Sequence, residues 1–206
     1  MPLQDGSRRD RIERMLFEPW GAAEPSGEDI RLYALLNAAA RQEVPIYLVG
    51  FAAEYRPLFQ GQAQDDLEEA APYLVAMERG TAVSDWIVSE IFGRRAGIFL
   101  QSRLDIDSLR RHLRKFTKIQ DASGKFYYFK FYDPRTVRQF FPTFTPAQAA
   151  SFFRSAVDAV LIEDDRNADM MLHLAVANGA LATRKHALSD ATNQAGEAQA
   201  YDHEVR

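Results

Sequence analysis

The sequence predicts a mixed α/β fold, with a central mixed sheet flanked by helices and a small helical part at the C-terminus. Apolar runs of strand length, such as YLVAM at 73–77 and GIFL at 97–100, alternate with segments of helical periodicity. The chain has 206 residues, of which 47% are hydrophobic, so it can bury a sizeable core. At roughly 150 residues per domain, this length predicts one domain with a small appendage.

Breaks in the apolar pattern divide the chain into four parts. We predict a lead-in helix in 1–28, an α/β domain over 29–164, a helical part over 165–188 and a loose polar tail from 189 to 206. Within the first part, Ile12 and Leu16 have helical spacing before the Pro19 break. The tail lacks large apolar residues, which is typical of poorly ordered termini.

The N-terminal half of the α/β domain predicts alternating short elements. RLYALLN at 31–37 is followed by VPIYLVGF at 44–51, which contains the Pro45 break, and the pattern leaves open whether the two segments form strands or helices. YLVAM predicts a buried strand. A helix capped by Ser84 follows and ends near Gly93, before the GIFL strand.

The best-defined helix covers 105–118. Asp105 is placed to cap it, and apolar residues recur at intervals of three, four and three on one face. The other face predicts a basic ridge, because cations three and four residues apart lie side by side on a helix. This ridge consists of Arg110, Arg114 and Lys118 in one row and Arg111 with Lys115 in the next.

Downstream of this helix, KFYYFKFY at 125–132 has six aromatics in eight positions and predicts a central strand covered on both faces. Asp133 is placed to cap a helix that begins at Pro134. Thr145 to Gln148 form a capping-box pattern. We predict a last strand over 157–162 and a final helix over 168–182.

Composition excludes several classes of function. The chain has no cysteine, which rules out disulfides, thiolate zinc sites and cysteine nucleophiles. Its four histidines are far apart, and no phosphate loop, nucleophile elbow or dinucleotide fingerprint occurs, so we expect no metal, no cofactor and no enzymatic activity. No apolar run could span a membrane and no signal peptide is evident, so we expect a cytoplasmic protein.

Charge is strongly segregated. Residues 94–138 contain 12 Lys or Arg against 4 Asp or Glu, whereas the whole chain has a formal net charge of −4. A basic band on an acidic protein can attract nucleic acid, a phosphate-bearing ligand or an acidic partner surface, and the sign alone does not choose among them. The arginines could equally coat the solvated face of a helix.

One polar cluster suggests chemistry. Asp133, Pro134 and Arg135 end the aromatic run, where a guanidinium could bind the Asp133 carboxylate or an incoming acidic group through two hydrogen bonds. In the simpler interpretation, Asp133 caps the helix and Arg135 braces the loop.

Residues 130–135 read KFYDPR and closely resemble the R-F-Y-D-P-R signature of the bacterial type VI secretion effector chaperones, also called adaptors. The similarity extends over about residues 31–164, with matching order and spacing. Two departures are Asn37, where the family usually has Asp, and RRA at 94–96, where an aromatic residue commonly precedes the strand. The other matching segments are LYALLNAA at 32–39, PLF at 57–59, APYLV at 71–75, GIFL with Ser102, LRRHLRKF at 109–116 and FFPTFTPAQ at 140–148.

The resemblance implies a non-catalytic cytoplasmic protein that binds one toxic effector and helps to load it onto the spike protein of the secretion tube. It leaves open whether a co-chaperone takes part. It also implies an α/β lobe followed by a largely helical C-terminal lobe. The alternatives are a nucleic-acid-binding module that uses helix 105–118, and a small hydrolase or nuclease centred on Asp133 and Arg135.

For the adaptor, we expect two kinds of partner contact and one structural brace. The arginines of the ridge should steer an acidic partner, and apolar residues of the final helix should offer a docking face. Asp133, Pro134 and Arg135 should hold the junction between the sheet and the C-terminal part. The expected partner-binding residues are Arg110, Arg111, Arg114, Met171, Leu172 and Val176.

Overall fold

A seven-stranded sheet runs through the residues that the computed structural model describes, which are 3–19, 30–59, 71–121 and 123–189. Its strand order is β2-β3-β1-β4-β7-β8-β9, and every neighbouring pair is antiparallel. The strands are β1 (Arg31–Asn37), β2 (Tyr55–Pro57), β3 (Pro72–Met77), β4 (Gly97–Ser102), β7 (Ala159–Glu163), β8 (Met170–Ala177) and β9 (Ala180–Ala187).

Helices flank this sheet, which confirms the mixed α/β class. The helices are α1 (Leu3–Phe17), α2 (Val44–Gly50), α3 (Ala82–Trp86), α4 (Ile106–Arg114), α5 (Pro134–Phe140) and α6 (Pro146–Phe153). A π-helical turn (Ile87–Ile91) continues α3, and a 3₁₀ turn (Phe141–Thr143) follows α5.

The central strands are buried on both faces. Along β1, Leu32, Ala34 and Leu36 enter one hydrophobic cluster, while Tyr33 and Leu35 enter the other. Continuous apolar runs of this kind are more typical of parallel sheets. Here they occur in antiparallel strands because helices cover both sides. The sheet is antiparallel throughout, so the prediction of a mixed sheet is wrong.

Local capping signals produce the predicted helix starts. The side chains of Asp105, Asp133 and Thr145 accept hydrogen bonds from backbone N–H groups in the first turns of α4, α5 and α6. For α3 the cap is Thr81, and Ser84 supplies the N–H that Thr81 accepts, at 3.4 Å. The prediction of Ser84 as the cap is therefore wrong by three residues.

The lead-in helix packs on the body. Ile12 and Leu16 are buried in the first cluster, and Arg8 donates a 2.6 Å hydrogen bond to the carbonyl of Ala168. Gln101 in β4 donates to the carbonyls of Leu16 and Glu18 at the end of α1. These bonds fix the helix over the end of the sheet.

The helix predicted over 168–182 is wrong, because this segment forms the β8-β9 hairpin. Asn178 and Gly179 both have positive φ, which is the backbone that a two-residue type I′ turn requires. The run from Met170 to Ala177 has no strict alternation because both of its faces are buried at its start. The helical C-terminal part predicted for 165–188 is therefore a continuation of the sheet, and β7 is not the last strand.

The central strand predicted over 125–132 is also wrong. Phe126–Tyr128 forms β6, which pairs only with β5 (Lys118–Gln120) in a separate two-stranded sheet. All six residues of these two strands are exposed. Phe131 and Tyr132 follow in a turn and are buried, so the aromatic run is divided between surface and core. The predicted tail lies outside the described residues from 190 onward.

Candidate functional site

The Asp133 carboxylate is bound on several sides by its own motif. Its Oδ1 accepts a 2.9 Å hydrogen bond from the backbone N–H of Arg135 and a 3.0 Å bond from the Arg135 Nε. Its Oδ2 lies 2.6 Å from a terminal guanidinium nitrogen of Arg135. Burial by itself raises the pKa of Asp133, but the hydrogen bonds and charge of Arg135 outweigh it, so the pKa lies below the usual value.

A second set of contacts ties this corner to the end of β7. Arg138 of α5 forms an ion pair with Asp165 and donates a 3.3 Å hydrogen bond to the carbonyl of Glu163. The buried Glu163 carboxylate accepts from the backbone N–H groups of Gly93 and Arg95. Burial raises the pKa of Glu163, partly opposed by these two bonds. Helix α5, the turn before β4 and the end of β7 are thus joined by one polar network.

The Asp133 carboxylate is bonded within its own motif. Both oxygens of Asp133 are occupied within the motif, and the carboxyl is buried, whereas a general base needs an accessible lone pair. Arg135 is the exposed partner, with 60% of its side chain accessible. Pro134 occupies the first position of α5, where its missing N–H has no helical partner to lose.

The basic ridge is less uniform than its spacing predicts. The Arg110 guanidinium donates to the carbonyls of Pro57, at 2.6 Å, and Phe59, at 3.4 Å, so it is committed to the chain's own backbone. Burial lowers the pKa of Arg110, and Arg114 adds to this effect. Arg111 is exposed and donates to the Ser108 hydroxyl, while Arg114 is half-buried. Of the three arginines, Arg111 is the one fully on the surface.

His112, beside the ridge, joins two helices. Its Nε2 lies 2.7 Å from the carbonyl of Phe152 in α6. Burial lowers the pKa of His112, although this hydrogen bond partly opposes the shift.

The apolar docking face predicted from Met171, Leu172 and Val176 does not exist as one surface. In a strand, successive side chains point to opposite faces, and Met171 and Leu172 enter different hydrophobic clusters. They are 1% and 5% exposed, so the protein's own core covers them. Val176 alone is exposed, near the turn of the β8-β9 hairpin.

Sequence reasoning missed the largest exposed aromatic feature among the described residues. The hairpin surface, as we name it, covers both faces of the β5-β6 hairpin: Ile119 and Tyr127 with Lys125 lie on one face, and Phe126 and Tyr128 with Lys118 lie on the other. Its apolar members are between 44% and 66% exposed. The turn signal was present at Asp121, whose carboxylate accepts from Ser123 and Lys125 and closes the hairpin.

A groove separates the hairpin surface from α5 and α6. It encloses about 390 Å³ and is lined mainly by apolar side chains. The lining comprises Phe116, Ile119, Gln120, Phe129, Phe140, Thr143, Phe144, Gln148 and Ser151.

Neither a cluster of metal-ligating side chains nor a membrane-spanning helix occurs in the part of the chain that the structure describes. Over 3–19, 30–59, 71–121 and 123–189, no group of three or more His, Asp or Glu is placed to hold a metal ion. In the same ranges, no helix combines the length and the apolar character that crossing a bilayer needs.

Comparison with known proteins adds a family. The family model described as "Domain of unknown function (DUF4123)" matches residues 32–151, which is more than half of the chain. The chain belongs to the DUF4123 family. This is the family associated with type VI secretion effector chaperones and adaptors, so the resemblance seen in the sequence is confirmed. No curated protein and no solved structure matches the chain.

The matched region corresponds to most of the described architecture. It runs from β1 to α6 and includes the basic ridge, the hairpin surface and the Asp133 to Arg135 motif. The strands β7, β8 and β9 lie beyond it. The DUF4123 region and the C-terminal hairpin therefore share one continuous sheet.

Proposed function

We propose that this chain is a non-catalytic type VI secretion effector adaptor, which binds a cognate toxic effector in the bacterial cytoplasm and helps to load it onto the spike protein. Membership of the DUF4123 family carries this proposal. A co-chaperone could join the same complex.

The geometry supports a binding role over catalysis. The polar cluster most suggestive of chemistry, Asp133 with Arg135, is closed on itself by hydrogen bonds of 2.6 to 3.2 Å. In the proposed role, Asp133, Pro134 and Arg135 hold α5 against the end of β7 through the neighbouring Arg138. An exposed apolar surface lies elsewhere, on the hairpin surface, and large exposed apolar patches mark interaction sites.

Co-expression with the product of a neighbouring open reading frame tests the proposal. We expect the tagged chain to co-purify with a secreted toxin or a spike component, and to increase the soluble yield of that partner. If neither kind of neighbour is encoded nearby, and the tagged chain retains neither, the proposal is wrong.

A hydrolase makes a different prediction. Under that alternative, the purified chain should turn over generic phosphodiester substrates, and Asp133→Ala should abolish the turnover. For an adaptor, we expect no turnover, and the same substitution should reduce solubility or partner capture because it removes the cap of α5.

The basic ridge enters the proposal mainly through Arg111. Charge steering depends on exposed cations and weakens with salt. We therefore expect Arg111→Glu to slow partner association at low salt. Arg110→Glu should slow association less, apart from any effect on folding, because Arg110 is bonded to the carbonyls of Pro57 and Phe59. Unchanged association of the Arg111 variant at low salt would remove the ridge from the interface.

A further inference from the structure

The described part of the chain leaves the apolar side chains of the hairpin surface largely uncovered. A two-stranded hairpin is only marginally stable in water, and usually needs a covered face. Here Phe126 is 66% exposed and Tyr128 is 53% exposed. Contacts with the body include an edge-on contact between Tyr128 and Phe59 and a 2.9 Å hydrogen bond from the Phe129 N–H to the carbonyl of Thr117.

The lysines of this region have no acidic partner within the described part of the chain. The ion pairs among those residues all use arginines. By contrast, the Nζ atoms of Lys118 and Lys125 lie over the rings of Tyr128 and Tyr127, at 5.6 and 5.1 Å from the ring centroids. Lys115 and Lys130 are exposed nearby in sequence. The positive charge at the hairpin is therefore available to an external anion.

The apolar groove continues this surface. Ile119 belongs both to the hairpin surface and to the groove, and Phe140 closes the opposite wall while 44% exposed. Phe129 packs edge-on against Phe140, with ring centroids 5.9 Å apart. The groove lining contains no charged residue. It is therefore suited to an aliphatic or aromatic side chain, with Lys125 on the same face of the hairpin as Ile119 and Lys118 on the opposite face.

This arrangement favours a polypeptide over a nucleic acid. Single-stranded nucleic acids stack their bases on exposed ring faces along a basic track that follows the phosphates. Here the lysines themselves lie over the two tyrosine rings, and the adjoining groove is apolar and uncharged. An acidic segment with an apolar anchor would fill the groove and pair with Lys125 on the same face, and with Lys118 where the segment continues around the hairpin.

We propose that the hairpin surface and the adjoining groove bind an acidic segment of a protein partner, with one or more apolar side chains of that segment seated between Ile119 and Phe140. This deepens the adaptor function and rests on it for the identity of the partner, but the recognition chemistry can be tested separately.

Direct binding of synthetic probes is the first test. The probe is a labelled peptide in which Asp and Glu alternate with Leu and Phe, and its binding to the full chain is followed by fluorescence anisotropy. The controls are the same peptide with Ser in place of Leu and Phe, and single-stranded oligothymidylate of equal charge. We expect the apolar acidic peptide to bind at least about tenfold more tightly than either control, since a buried anchor is worth that factor or more.

Variants assign the binding to this surface. Phe140→Ser and Ile119→Ser should each weaken the peptide by about tenfold. Lys118→Glu with Lys125→Glu should weaken it most at low salt, and should increase binding of a matched peptide with Lys in place of its acids. The control is Ile46→Ser with Val49→Ser on α2, where the exposed fractions are 75% and 67% and we expect no change.

Three outcomes would overturn the inference: equal binding of the apolar and serine peptides, unchanged binding by the hairpin and groove variants, or tighter binding of oligothymidylate. The third outcome would favour a nucleic-acid interface instead. The lysine variant keeps the test valid if an apolar variant fails to fold. If an effector co-purifies equally with wild type and with the hairpin and groove variants, this surface alone is contradicted. If wild type binds the peptide but co-purifies with no effector, the adaptor function alone is contradicted.

Discussion

Mild acid should destabilise this protein through His173, and the variant His173→Gln should remove that effect. His173 lies in the middle of β8, paired with Leu161 of β7 and Arg184 of β9, and is 3% exposed. Its ring is 5.9 Å from that of His186. Burial, together with the charges of His186 and Arg184, lowers the pKa of His173 from 6.5 to about 4.

The sign of the effect follows from proton linkage. Between about pH 6.5 and pH 4 the unfolded chain binds a proton at His173 more readily than the folded chain does. The free energy of unfolding therefore falls as the pH drops through this range. Above the range, the neutral His173 causes no such loss. Each pKa unit corresponds to about 1.4 kcal/mol, so the full difference would be about 3 kcal/mol. Residual solvent screening reduces this, and we expect a loss of about 1–2 kcal/mol at pH 4.

Urea denaturation at a series of pH values measures this dependence. The comparison uses slopes with pH, because His173→Gln can also change stability at neutral pH. We expect the variant to lose less stability than wild type between about pH 6.5 and pH 4. His186→Gln is the matched control, since His186 is less buried and should flatten the curve less. Equal slopes for wild type and His173→Gln would refute the reasoning.

Four further substitutions test the corner and the sheet by the same denaturation assay. Asp133→Ala should cost about 1–2 kcal/mol because it removes the cap of α5, whereas Arg135→Ala should cost less than about 1 kcal/mol because that side chain is mostly exposed; the reverse order would contradict the brace. Gly97→Ala should cost about 1–3 kcal/mol, since the new Cβ would lie 2.6 Å from the carbonyl oxygen of Leu35, and a neutral result would mean that β4 can shift. Glu163→Gln should cost about 1–3 kcal/mol because the amide nitrogen cannot accept from a buried backbone N–H. An unchanged unfolding midpoint would show that the network adds no stability.

Features encoded within a few residues were predictable. The caps at Asp105, Asp133 and Thr145 depend on a side chain reaching an N–H two or three positions ahead, so the sequence contains both partners. The family was recognisable for the same reason, through a compact motif and the order of neighbouring segments. The Asn178-Gly179 turn is equally local. The apolar residues before it also fit helical spacing, however, and the segment was therefore predicted as a helix.

Burial was not predictable for the aromatic run. Phe126, Tyr127 and Tyr128 are exposed while Phe131 and Tyr132, a few residues later, are in the core. Residue type alone predicts that all of these aromatics are buried. Exposed rings are what stacked bases need, so the case against nucleic-acid binding rests on the lysine positions and the uncharged groove.

The sequence alone identifies a mixed α/β chain of the DUF4123 family. It also specifies the helix starts, through local caps, and the concentration of positive charge in 94–138. Tertiary structure decided which of those charges and rings face the solvent: Arg110 is bound by the carbonyls of Pro57 and Phe59, while Lys118 and Lys125 remain outside. The physical reason is that capping is an interaction between sequence neighbours, whereas exposure depends on which distant segments pack against a residue once the sheet has formed.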